Sequence, residues 1–119
     1  MKTKINLLLS IMLFIGITAS AQDSKTEEFK VYGNCGMCKT RIEKAAKAIE
    51  GVSMAEWDKT NKMAKVSFDT GKTNLPEIQK AIAKVGHDTD KYKADDKVYE
   101  KLPGCCLYDR PVAEKKNIK

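Results

Sequence analysis

The chain has 119 residues, with 22 Lys+Arg against 16 Asp+Glu, a formal net charge of +6, four cysteines and one histidine. That length excludes a multidomain enzyme built around a large cleft, and 42% hydrophobic residues beside 32% charged ones exclude a disordered chain. The lysines are interspersed with acids and form no concentrated basic block or aromatic RNA-binding motif, so a nucleic-acid partner is not expected.

Residues 1–21 have the three parts of a secretory signal peptide. Lys2 and Lys4 form the positive start, an apolar run over 5–17 is interrupted only by Asn6, Ser10 and Gly16, and Ala19-Ser20-Ala21 supplies small residues for cleavage. The run of about thirteen residues is short of the ~20 a membrane-spanning helix needs, and no adjacent cysteine offers a lipid attachment point. Cleavage after Ala21 would remove 21 of the 119 residues to leave 98, and loss of Lys2 and Lys4 would lower the charge to +4. The expectation is export across the inner membrane to the periplasm, with no stable membrane insertion. All four cysteines would then meet an oxidising compartment, where disulfides are one reading of them.

The mature part opens on a polar stretch, 22–28. Residues 29–32 (Phe-Lys-Val-Tyr) alternate in part and predict a short strand, which runs into Gly33-Asn34-Cys35-Gly36-Met37-Cys38. From Cys38 the period changes: Ile42, Ala45, Ala46 and Ile49 form the stripe of an amphipathic helix, with Gly51 placed to end it. Cys38 lies four residues before Ile42, above the buried face at the helix start. A strand over 52–58 follows, with Val52, Ala55 and Trp57 inward, then a turn at Thr60-Asn61 and a strictly alternating strand carrying Ala64, Val66 and Phe68. Asn74 is a good N-cap for a second helix, with Pro76 and Glu77 in its first turn and Leu75, Ile78, Ala81, Ile82 and Val85 on its apolar face. Gly86 closes it, 87–93 predicts a polar edge strand, and 94–119 reads as a charged tail interrupted by Val98, Tyr99, Leu102 and Pro103-Gly104-Cys105-Cys106. The order βαββαβ predicts an α+β, ferredoxin-like domain over 28–93, an antiparallel four-stranded sheet with both helices on one face.

The chemistry concentrates at the first strand-to-helix junction. Two cysteines three apart, the second in the first helical turn, can converge on one small target. The unpaired N–H groups and positive end of the helix favour thiolate, the species that binds metal or attacks a disulfide, and Lys39 and Arg41 add positive charge. Soft thiolates select soft ions such as Cu(I), and a two-sulfur site is too open for structural zinc. Openness suits a carrier, because another protein's thiolate can enter and take the ion by ligand exchange. The rival reading is a thiol-disulfide redox protein using Cys35 and Cys38; the W-C-x-x-C signature of such proteins is missing, and the element order differs from theirs. No general acid/base pair or nucleophilic triad is identifiable, so no enzymatic activity is expected.

Gly33 to Cys38 at the first β–α junction of this element order resembles the heavy-metal-associated domain family, which includes copper chaperones, modules of metal-transporting P-type ATPases and the periplasmic mercury scavenger. The resemblance covers roughly residues 28–93. It implies Cys35 and Cys38 as metal ligands, Cu(I) foremost, with Hg(II) and Zn(II) as other cargo, and a metal-transporting membrane ATPase or another metal-handling protein as partner. Zinc-selective members often carry an acid beside the first cysteine, where this chain has Asn34. The usual motif is G-M-x-C-x-x-C; with the cysteines aligned, Gly33 stands where the family has methionine, and Met37 appears between the cysteines.

Other candidates lie at the edges of the resemblance. His87 follows the second helix, where the family's loop approaches the metal, and reads either as a third ligand or charge-tuning group or as a solvated loop histidine beside Asp88 and Asp90. Cys105 and Cys106 lie outside the resemblance. The stretch from Lys93 to Cys105 can reach up to ~40 Å if extended, enough to fold back over the metal loop. The tail pair could complete a three- or four-sulfur site, form an exchangeable mixed disulfide with Cys35 and Cys38, or stand apart. Met37, Met54 and Met63 fall on different elements, and Met54 and Met63 read as hairpin or core residues.

Overall fold

A computed structural model describes residues 23–111 and 116–117; the segment expected to be a signal peptide, 1–21, lies outside the described residues. Three strands form an antiparallel sheet in the order β1-β3-β2, from β1 (Ser24–Lys30), β2 (Val52–Trp57) and β3 (Met63–Asp69). β1 starts five residues before the predicted position, because its polar half pairs with β3 from Ser24↔Asp69 onward through the backbone, which hydropathy does not report. Ala64, Val66 and Phe68 face the core as the alternation predicts. A register shift between Val52 and Met54 explains the imperfect alternation of β2 while leaving Ala55 and Trp57 buried.

The predicted fourth strand is reduced to a bridge. Thr89 pairs antiparallel with Val31, flanked by Tyr32 N–H donating to Asp88 O and Asp90 N–H donating to Lys30 O, along the remaining edge of β1. The next residues, β4 (Tyr92–Lys93), pair instead in parallel with β5 (Lys116–Asn117). Far from being a polar edge, His87, Asp88 and Thr89 are buried. The ferredoxin-like class holds, with its fourth strand short because the chain turns away to enter the tail.

Two helices pack together, α1 (Gly36–Lys47) against β2 and α2 (Leu75–Lys84). Ile42 and Ala46 of α1 meet Ile78 and Ile82 of α2 in one core with Phe29, Val31, Trp57 and Val66. Asn74 caps α2 by accepting from Glu77 N–H at 3.0 Å. Gly86, beyond its end, has φ +106°, a conformation that favours glycine, and the Leu102 side chain presses against it.

Residues 94–111, within the charged tail, fold back onto the domain. They form α3 (Asp96–Glu100) and a 3₁₀ turn (Gly104–Cys106), and they bury Ala94, Leu102, Cys106 and Tyr108. Tyr108 O–H donates to Gly86 O at 2.7 Å and accepts from Asp88 N–H at 2.8 Å. Arg110 grips the buried Asp88 carboxylate with Nε and Nη2, both at 2.9 Å, and its guanidinium lies over Tyr99. Ala94 N–H also donates to Asp88, so one buried acid holds both ends of the returning segment. Among the described residues no helix is long and apolar enough to cross a membrane.

Candidate metal centre

Cys35 is the N-cap of α1 and lends it no side-chain cap, while Cys38 sits in the first turn, fully buried. The first turn of α1 contains no acid to compete for its positive end. Asn34 N–H donates to Cys38 Sγ at 3.4 Å, and the two loop sulfurs are 3.5 Å apart. Gly33 is favoured by a close approach: a Cβ there would lie 3.1 Å from Cys38 Cβ and from the Trp57 indole. Trp57, whose Nε1 donates to Val31 O, fills the space beneath the loop. A side chain at 33 would make Cys38 or the Trp57 ring give by a few tenths of an ångström, so the packing favours glycine where the family has methionine.

The tail brings two more sulfurs to the same point. Cys35 Sγ lies 3.1 Å from Cys105 Sγ, 70 positions away, and 3.5 Å from Cys106 Sγ. The sulfurs of Cys35, Cys105 and Cys106 all fall within 4.8 Å of one another, and Cys38 joins them through Cys35. All four are free thiols. Two sulfurs bound to one ion through ~2.3 Å bonds sit ~3.8–4.0 Å apart in tetrahedral or trigonal geometry, so the cluster would open by less than about 1 Å to admit one.

The cluster is electrostatically graded. The Cys35 thiol is drawn down to about 6, chiefly by a hydrogen bond from Cys105 and then by the Cys38 backbone N–H. Cys105 is pushed up because it serves Cys35, and Cys106 is pushed up mainly by burial. Arg41 Nη1 donates to Cys106 Sγ at 3.5 Å. Near neutral pH Cys35 thus carries a thiolate at the hub, and Cys105 and Cys106 stay thiols that deprotonate when a cation arrives.

His87 is placed differently from either expectation. It is fully buried rather than solvated, it does not join the three-sulfur group, and its Nδ1 lies 2.8 Å from Tyr32 O while its ring stacks on Tyr108. Nε2 is buried without a hydrogen-bond partner. Burial holds its pKa down at about 4 against 6.5, so the folded protein keeps the ring neutral. Below pH 6.5 the unfolded chain takes up a proton that the folded one refuses until about pH 4, so stability falls with pH across that window. The loss is up to about 3 kcal/mol. Urea denaturation of His87→Phe should show this component removed, whereas a parallel decline in both proteins would show that the histidine is not its source.

An antiparallel βαββα unit that presents paired thiols at its first β–α junction defines a class of small soft-metal-binding domains. The chain belongs to the heavy-metal-associated domain family, whose model matches residues 29–88. Copper chaperone CopZ of Staphylococcus saprophyticus is 36% identical over 64 residues, covering 53% of this chain and 94% of that protein. Copper-transporting ATPase 2 of Rhizobium meliloti is 35% identical over 69 residues, 57% of this chain but only 8% of the transporter, so the chain spans a small part of that relative. Among solved structures, oxidised MerP from Ralstonia metallidurans CH34 superposes with a TM-score of 0.54 at 31% identity, covering 56% of this chain and 94% of that one. These matches account for little more than half of the chain, and the family model ends at residue 88, before Cys105 and Cys106.

Proposed function

We propose that this protein is an exported carrier of soft metal ions that binds Cu(I) through Cys35 and Cys38, with Cys105 and Cys106 closing over the ion. The observation that carries this reading is the convergence of four free thiols on the N-terminus of α1. A cluster of soft donors around one low-pKa thiolate suits a monovalent soft cation, and the CopZ relatives support copper as cargo. Hg(II) fits the same donors and Zn(II) also accepts four thiolates, so it is the CopZ relatives that favour copper as cargo. Release follows by ligand exchange. An acceptor thiolate bonds to the ion at its exposed side, and among the cysteine bonds that of Cys105 is the first to break, since Cys105 is exposed while Cys38 and Cys106 are buried. The likeness to part of copper-transporting ATPases supports such a transporter, or another metal-handling protein, as the acceptor. The amino-terminal segment supports action outside the cytoplasm.

Anaerobically purified protein titrated against a chromophoric Cu(I) chelator tests the reading. We expect one tightly held Cu(I) per chain with three or four sulfur neighbours by X-ray absorption, with the share supplied by the tail lost in Cys105→Ser/Cys106→Ala. Protein that retains no Cu(I) yet reduces insulin disulfides would instead be a thiol-disulfide redox protein.

A further inference from the structure

Met37 is a long apolar side chain left 54% exposed, and nothing in the core explains it. Its Sδ lies 3.5 Å from Cys105 Sγ, which lies 3.1 Å from Cys35 Sγ, which in turn lies 3.5 Å from both Cys38 and Cys106. The five sulfurs therefore form a continuous path ordered by burial: Met37 and Cys105 exposed, Cys35 half-buried, Cys38 and Cys106 buried. Met54 and Met63 lie on β2 and β3, away from this path. The outermost member differs chemically from the rest. A thioether binds soft monovalent ions without losing a proton and is a poor ligand for Zn(II).

We propose that Met37 Sδ is a ligand of the bound Cu(I), taking one of its three or four sulfur positions on the outer side of the site beside Cys105 and Cys35. This deepens the copper-carrier reading and rests on it. The thioether contributes no charge, so a site with Met37 among its donors binds a +1 ion with less excess negative charge than an all-thiolate site. Being neutral and exposed, it is also the ligand an acceptor thiolate displaces first: a new Cu–S bond forms as the Cu–Sδ bond breaks. Copper stays Cu(I), and no electron or proton leaves Met37. The residue makes the site selective for Cu(I) over Zn(II) and gives the ion an exit.

Full-length protein carrying selenomethionine, loaded with one equivalent of Cu(I), supplies the test. X-ray absorption at the copper edge should show about one selenium neighbour, absent in Met37→Leu. Because the side chain is exposed, Met37→Leu should fold normally, and its Cu(I) affinity should drop about tenfold with Zn(II) affinity unchanged. A copper edge with sulfur neighbours only, or a selenium signal that persists in Met37→Leu, overturns the assignment while leaving the carrier function standing. Failure of the unsubstituted protein to bind Cu(I) at all overturns both.

Discussion

Replacing Cys35 with serine is expected to lower Cu(I) affinity more than any other single change at the site. Cys35 touches all three other cysteine sulfurs, at 3.1, 3.5 and 3.5 Å, and is the one whose pKa falls, to about 6. Its loss removes the preformed thiolate and also the point that joins the loop pair to the tail pair. The drop should exceed the about 100-fold that changes beyond the ligands themselves cost in metal sites. Cys105→Ser, which removes an exposed outer sulfur, should cost only about tenfold. Chelator competition at fixed pH measures both, and equal losses in the two variants would show that Cys35 is not the hub. The apo protein should scarcely change in stability with Cys35→Ser, since the side chain is only partly buried and caps nothing.

Tyr108→Ala should produce the largest loss of stability, about 3–5 kcal/mol. The ring is 2% exposed, stacks against His87, meets Tyr99 edge-on, and bridges Gly86 O and Asp88 N–H through its hydroxyl. For a domain of this size that corresponds to a melting temperature lower by roughly 12 °C or more. Tyr108→Phe keeps the ring but strands the buried Asp88 N–H, at a cost of about 1–3 kcal/mol. The consequence for the site is specific. With the returning segment unseated, Cys105 and Cys106 leave Cys35, and only the sulfurs of the loop remain around Cu(I). Urea denaturation and X-ray absorption on the same samples check this. A Tyr108→Ala protein of unchanged stability would mean that the tail is not held by its ring.

The two helices and the three principal strands were readable because each has one buried face, and burial writes a period into the sequence. Ile42 and Ala46, Ile78 and Ile82, and Ala64, Val66 and Phe68 all face the core as that period predicts. Asn74 was readable as a cap because a short side chain with an acceptor is what the first helical turn lacks. The elements that escaped were those held by other means. The polar half of β1 is held by backbone pairing and a Thr26–Ser67 hydroxyl contact rather than by apolar burial, and the fourth strand is a single bridge. The burial of His87 depends on Tyr108, 21 positions later, and so has no local signature.

The sequence by itself determined that a thiol pair stands at the start of α1 on a ferredoxin-like domain, because the spacing of Cys35 and Cys38 and the change of hydrophobic period at Cys38 are both local. Only the tertiary structure decided what the second pair does. Cys105 and Cys106 reach Cys35 because Tyr108 and Arg110 dock on Gly86 and Asp88, and because Gly33 lets Trp57 fill the space beneath the loop. Those contacts join residues about 20 or more positions apart through burial and charge, and no periodicity along the chain encodes a meeting between segments so distant.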